Sequence, residues 1–201
     1  MIDKYGVGQD PYCYPGTSIL RNKLNIRCET ELDLAERELS DIAASQIELC
    51  LPPYDFAYLK EIHSRLFQDL YDWAGEIRHV DISKDTTRFC RADRIVPESK
   101  KLLAPATLAQ WAEGLPLPAF INACAEAFGD LNMVHPFREG NGRTQRIFFE
   151  HLIVNAGYEI NWWEVDSVEW RQANIAAVHC DYSGLATIFS RCIGPPLPVA
   201  Q

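Results

Sequence analysis

The sequence lacks any apolar run near the roughly 18 residues that a membrane-crossing helix requires. Its first ten residues, MIDKYGVGQD, have no apolar core of the kind a secretory signal needs. Positive charge is in deficit: 19 Lys and Arg face 28 Asp and Glu, for a net charge of −9. A general nucleic-acid binder would need a basic footprint, so direct nucleic-acid binding is not expected. The seven cysteines (13, 28, 50, 90, 124, 180 and 192) are odd in number and form no C-x-x-C pair. That pattern suits reduced, mostly buried thiols in a cytoplasmic protein and not a disulfide framework. Repeats, low-complexity tracts and interdomain linkers are missing, as are G-K-[ST], H-E-x-x-H and G-x-S-x-G. P-loop, zincin and nucleophile-elbow chemistries are therefore excluded. The G-x-G at 140–142 has neither the third glycine nor the strand pattern of a dinucleotide fingerprint.

What is present is an ordinary globular composition, 47% hydrophobic and 23% charged over 201 residues. A single domain of this length buries about 70% of its unfolded surface and needs no staple. Residues 1–53 read as an arm and helix packed on the core, 54–193 as the main domain and 194–201 as a tail. The segment 28–50 holds seven acids and one base, with Leu32, Ala35, Leu39 and Ile42 as a helical stripe. It reads as a surface helix opened by Thr30 and Asp33, with no chemistry of its own. A second helix starts near Asp55 and buries Leu59, Ile62, Leu66, Leu70 and Trp73. Val80 and Ile82 then alternate with polar residues, and Ser83-Lys84-Asp85 interrupts before Thr86, Thr87 and Phe89. This is the strand signal of the chain, a short hairpin. Helices follow at about 94–113, 119–134 and 143–156, then one capped by Asp166 and one opened by Ser183. The fold class is mainly α, with one hairpin.

The chemistry concentrates in HPFREGNGRTQR, residues 135–146. Pro136 ends the helix before it, which leaves His135 at a helix-to-loop junction. Gly140-Asn141-Gly142 can take positive φ and gather backbone N–H groups into one concavity. The next helix points its positive dipole end into the same place. Arg143 and Arg146 share its first turn and offer two guanidinium forks, which suits a polyphosphate. Glu139 among phosphates calls for Mg²⁺ between them. His135 is then the nearby group able to take a proton near neutral pH. Arg138 reads as a solvated bystander.

These twelve residues resemble the signature of the Fic family, H-x-F-x-[D/E]-G-N-G-R-x-x-R, with every fixed position present. YPGTSILRNKLNI at 14–26, LFQDLYDWAGEIR at 66–78 and the hairpin at 80–89 resemble the family's arm, second helix and flap. The resemblance implies an all-α core with ATP and Mg²⁺ as cosubstrate and cofactor, and AMP transfer to a Tyr, Ser or Thr hydroxyl of a target protein. It makes His135 the base, Phe137 the anchor of the loop, Glu139 the Mg²⁺ ligand, and Gly140, Asn141 and Gly142 the phosphate cradle, with a side-chain contact from Asn141. Arg143 and Arg146 would neutralise the leaving pyrophosphate. Val80, Asp81 and Ile82 would pair with an extended target segment, and Lys84 and Asp85 are candidates to touch target or nucleotide. Relatives that phosphorylate carry lysine in place of the second motif glycine, here Gly142, so AMP transfer is the better expectation. Fic-fold phosphotransfer, transfer of another nucleotide or of phosphocholine, and an idle interaction module are the alternatives.

The same resemblance implies a partner. Fic proteins are commonly held off by a glutamate in [S/T]-x-x-x-E-[G/N], and no Ser or Thr here has Glu four residues on. The inhibitory helix is then expected from a separate small antitoxin whose glutamate docks on Arg146. Compact bacterial Fic toxins suggest the B subunits of type II topoisomerases as targets.

Overall fold

The computed structural model describes residues 10–84, 87–104, 115–163 and 165–197. Seven α-helices occur among them: α1 Glu29–Ser45, α2 Phe56–Phe67, α3 Ile95–Leu102, α4 Leu117–Val134, α5 Asn141–Asn155, α6 Ser167–Ala177 and α7 Ser183–Cys192. The mainly helical expectation holds. No helix of the described residues is long and apolar enough to cross a membrane, and all seven cysteines are free.

Local chemistry places the helices. Glu29 and Glu31 in the first turn favour the positive dipole end of α1, but its N-cap is Cys28, whose side chain accepts no capping hydrogen bond. The expected Thr30–Asp33 cap is therefore absent, and Ile42 is exposed, while Leu32 and Ser40 are buried. At α2 the Asp55 carboxylate accepts from the Tyr58 N–H at 3.0 Å, and Leu59, Ile62 and Leu66 line the buried face. Asp166 caps α6 through the N–H groups of Val168 and Glu169. The longer expectation for α3 runs into 105–114, which lie outside the described residues.

Helix α4 is central. It packs on α3, α5, α6 and α7, while α2 fills the angle between α1 and α5. Phe128, Phe149 and Phe189 interlock at the centre with ring centroids 5.1–6.3 Å apart. The arm covers one end, with Tyr12, Cys13, Tyr14 and Leu20 buried.

Two small antiparallel pairs occur, where one hairpin is expected. The strands β1 (Ser83–Lys84) and β2 (Thr87–Arg88) pair Ser83 with Arg88 and Lys84 with Thr87. Regular pairing thus begins after Val80–Ile82, because Ile82 turns inward onto Phe89 instead of alternating along an edge. The strand β3 (Tyr158–Ile160) pairs with β4 (Ile193–Pro196) through an irregular register. Residues 194–196 consequently belong to the folded body and not to a tail. Two prolines hide β4 in the sequence, yet an edge strand tolerates them where no ladder donor is needed.

Candidate active site

His135 follows the last turn of α4 with φ +48°, in the left-handed region that non-glycine residues rarely occupy. Its Nδ1 lies 3.1 Å from the Asn132 carbonyl, so Nδ1–H donates and Nε2 carries the lone pair. The imidazole stacks on Phe89 of the flap at 3.9 Å. Burial, more than any neighbouring charge, pushes its pKa down to about 4. A neutral ring at physiological pH is the form a general base needs.

The loop after it is held from inside. Phe137 is 1% exposed and stacks on His63 with centroids 3.8 Å apart. His63 is itself buried, accepts from the Gly75 N–H at Nδ1 (2.8 Å) and donates from Nε2 to the Glu139 carbonyl (3.0 Å). Asn141 spends both ends of its amide on Phe137: Oδ1 accepts from its N–H and Nδ2 donates to its carbonyl. The amide thus closes the loop, which leaves one Nδ2 hydrogen for the expected phosphate contact. Within the Gly-Asn-Gly run only Gly140 has positive φ, at +79°, whereas Asn141 and Gly142 are the first residues of α5. The concavity is a helix N-terminus behind a single left-handed turn.

Arg138 corrects its reading as a bystander. It is 2% exposed and pairs with Asp10 of the arm at 2.6 and 2.7 Å, which fastens the arm to the motif. Arg143 is likewise engaged. It donates to the Glu36 carboxylate, to the Glu36 carbonyl (3.2 Å) and to Ser40 Oγ (2.6 Å), all on α1. The other Glu36 oxygen accepts from Tyr71 Oη at 2.5 Å. Burial raises the Glu36 pKa, with Arg143 opposing it. The acidic helix, expected to carry no chemistry, therefore orients a motif arginine. Arg146 makes no hydrogen bond or ion pair among the described residues.

Two cavities meet at this loop. The first, of about 310 Å³, is walled by Lys84, Thr87 and Phe89 of the flap and by His135, Glu139, Asn141 and Gly142 of the motif. Its far wall is α6, with Trp170, Asn174 and Ile175, which sequence reasoning missed. The second, of about 550 Å³, holds Glu139, Arg143 and Arg146 beside α1 and the arm. Glu139 thus stands between a part-apolar chamber and an arginine-lined one. Its carboxylate accepts from the Gly140 N–H at 3.1 Å.

The flap residues divide. Lys84 reaches the first cavity; Asp85 lies outside the described residues. Asp81 caps the Ala92 N–H (2.8 Å) and pairs with Arg88 (3.2 Å), contacts that hold its pKa below the usual carboxylate range, the Ala92 bond foremost. The carbonyls of Val80 and Ile82 already accept from Arg78 and Phe89. The free pairing edge expected at Val80–Ile82 is partly used inside the chain.

A neutral histidine lining a cavity of about 310 Å³, beside a helix N-terminus and near two arginines, is an arrangement suited to a phosphate-bearing ligand. A model of the Fic/DOC family matches residues 53–153. The protein named probable protein adenylyltransferase Fic of Escherichia coli is 39% identical over 193 residues, covering 96% of each chain. The protein adenylyltransferase VbhT of Bartonella schoenbuchensis is 33% identical over 94% of this chain and 40% of its own length. The Bartonella tribocorum BepC structure, described with bound AMPPNP, superposes with a TM-score of 0.85 at 27% identity, over 92% of this chain and 96% of that one. The chain belongs to the Fic/DOC family, and its class of enzyme is a nucleotidyltransferase, as the protein adenylyltransferase names of these relatives indicate.

Proposed function

We propose that this chain transfers AMP from ATP to a side-chain hydroxyl of a target protein, with His135 as general base. The carrying observation is the fixed tautomer of His135, which leaves the Nε2 lone pair free on a ring that lines one cavity with Gly142 and Glu139. The His135 Nε2 takes the proton of the target hydroxyl, whose oxygen bonds to the α-phosphorus as the bond to pyrophosphate breaks. The nucleoside occupies the 310 Å³ chamber against α6, and its phosphates pass Glu139 toward Arg146 and Arg143. Catalysis is then positioning and electrostatics, as in phosphoryl-type transfers generally.

The Glu139 carboxylate is a hard oxygen donor at the junction of the two chambers, which fits Mg²⁺ completed by phosphate oxygens. Bound there, the cation offsets phosphate charge. We extend the reading to a toxin directed at the B subunits of type II topoisomerases, met at the flap, and restrained by a small antitoxin.

The test is transfer from ATP labelled at either end. Label at the α-phosphate marks the target and label at the γ-phosphate does not. His135→Ala loses about 10²–10⁴ in rate while still binding ATP. Transfer of the γ-label instead makes the enzyme a kinase and overturns the proposal.

A further inference from the structure

The carbonyls at the end of α4 form a row that must find donors outside the helix. Leu131 O accepts from the His135 N–H at 3.2 Å and Asn132 O from His135 Nδ1. Met133 O accepts from the Cys90 N–H at 3.0 Å. The next three are all met by one residue, Arg78. Its Nη2 donates to Val134 O (3.2 Å), its Nε to His135 O (2.8 Å) and its backbone N–H to Pro136 O (2.9 Å). The remaining guanidinium bonds go to Val80 O (2.6 Å) and Cys90 O (2.5 Å), the two ends of the flap.

Arg78 is 1% exposed, and the partners around its guanidinium are backbone carbonyls. A buried cation is costly unless well compensated. Here the negative end of the α4 dipole and four carbonyls compensate it. The rigid planar fork is suited to this task, since it meets several acceptors at fixed angles, which an ammonium cannot.

We propose that Arg78 is a positioning residue for AMP transfer, holding His135 in its left-handed conformation and fixing the flap at its register over that base. This rests on the reading of His135 as the base and of the flap as the place where the target is met. The same side chain ties both ends of the flap to the base, so it sets the distance between the target hydroxyl and Nε2. Arg78 touches neither chamber, so it acts through His135 and the flap.

The test compares the parent with Arg78→Lys, which keeps the charge and loses the fork. A misplacement near 1 Å costs about 10² in rate. The expected result is a kcat for AMP transfer down about 100-fold, with the KM for ATP up by no more than about ten-fold, because the flap wall of the nucleoside chamber shifts while Glu139, Arg143 and Arg146 stay in place. A kcat within about three-fold of the parent overturns the proposal, and so does a KM for ATP that rises in step with the loss. A second measurement needs no variant. In the ¹⁵N-arginine spectrum of the parent, a clamped guanidinium gives separate, slowly exchanging Nη–H signals for Arg78, and a single averaged signal overturns the clamp even if Arg78→Lys does not fold. If the parent transfers no AMP to any protein, the functional reading has failed. The guanidinium spectrum still reports on the clamp.

Discussion

A Cβ added to Gly140 would lie 2.3 Å from Phe67 Cε2, and the φ of +79° would strain it further. A Cβ added to Gly142 would meet nothing within 4 Å, in the helical first turn of α5 beside the smaller chamber. Gly140→Ala should therefore lose about 1–3 kcal/mol of stability through overpacking and strain. Gly142→Ala should stay within about 0.5 kcal/mol of the parent and raise the KM for ATP. Denaturant midpoints and steady-state kinetics separate the two, and equal destabilisation would contradict the assignment. His63 allows a pH test. Its ordinary pKa of 6.5 falls to about 4 on folding, mainly through burial. The unfolded chain then binds more protons than the folded one between these values, so stability must fall as pH drops through that window. The full contribution is about 3 kcal/mol. His63→Asn keeps an acceptor for the Gly75 N–H but cannot titrate, so its stability should vary less between pH 7 and 4.5. An unchanged slope in urea titrations would mean that other groups carry the acid sensitivity.

At the scale of elements, the sequence was readable wherever one local rule decided the outcome. Asp55 and Asp166 cap helices because a short carboxylate beside free N–H groups does so in any context. Leu59, Ile62 and Leu66 mark a buried face because their spacing leaves no other. The motif was legible because its chemistry sits within twelve consecutive residues. What stayed hidden depends on contacts distant in the chain. Glu36 is one acid among six on α1, and nothing nearby tells that Arg143, 107 residues on, will choose it. Arg138 looks solvated until the arm brings Asp10 across 128 residues. Trp170, Asn174 and Ile175 follow ordinary helical spacing, and nothing near them in the sequence tells that α6 walls the smaller cavity. The hairpin was found but displaced by a few residues, because Ile82 obeys burial against Phe89 before alternation.

For the whole molecule, the open question is what meets Arg146. Both arginines line the 550 Å³ chamber and a third cavity of about 960 Å³, but Arg143 is bonded to α1 while Arg146 makes no hydrogen bond or ion pair among the described residues. Ala44 of α1, Ile147 and Val154 of α5 and the β3–β4 pair wall that third cavity, with Trp162 and Trp163 at its margin. Trp163 is 93% exposed, a large aromatic with almost no packing among the described residues. The antitoxin helix proposed above would fit this groove with its apolar side against Ile147 and Trp163 and its glutamate on Arg146. Losing one partner of such an interfacial pair costs about 2–5 kcal/mol, enough for tight control. The chain expressed alone should slow bacterial growth, and co-expression of the neighbouring small open reading frame should relieve it. Trp163→Asp leaves every nucleotide-facing group in place, so it should stay active yet escape the antitoxin, and growth should slow even on co-expression. Relief as complete for Trp163→Asp as for the parent would remove the antitoxin from this groove. If instead the purified chain is inactive and Glu36→Gln activates it, the brake is internal, acting through Arg143 on α1.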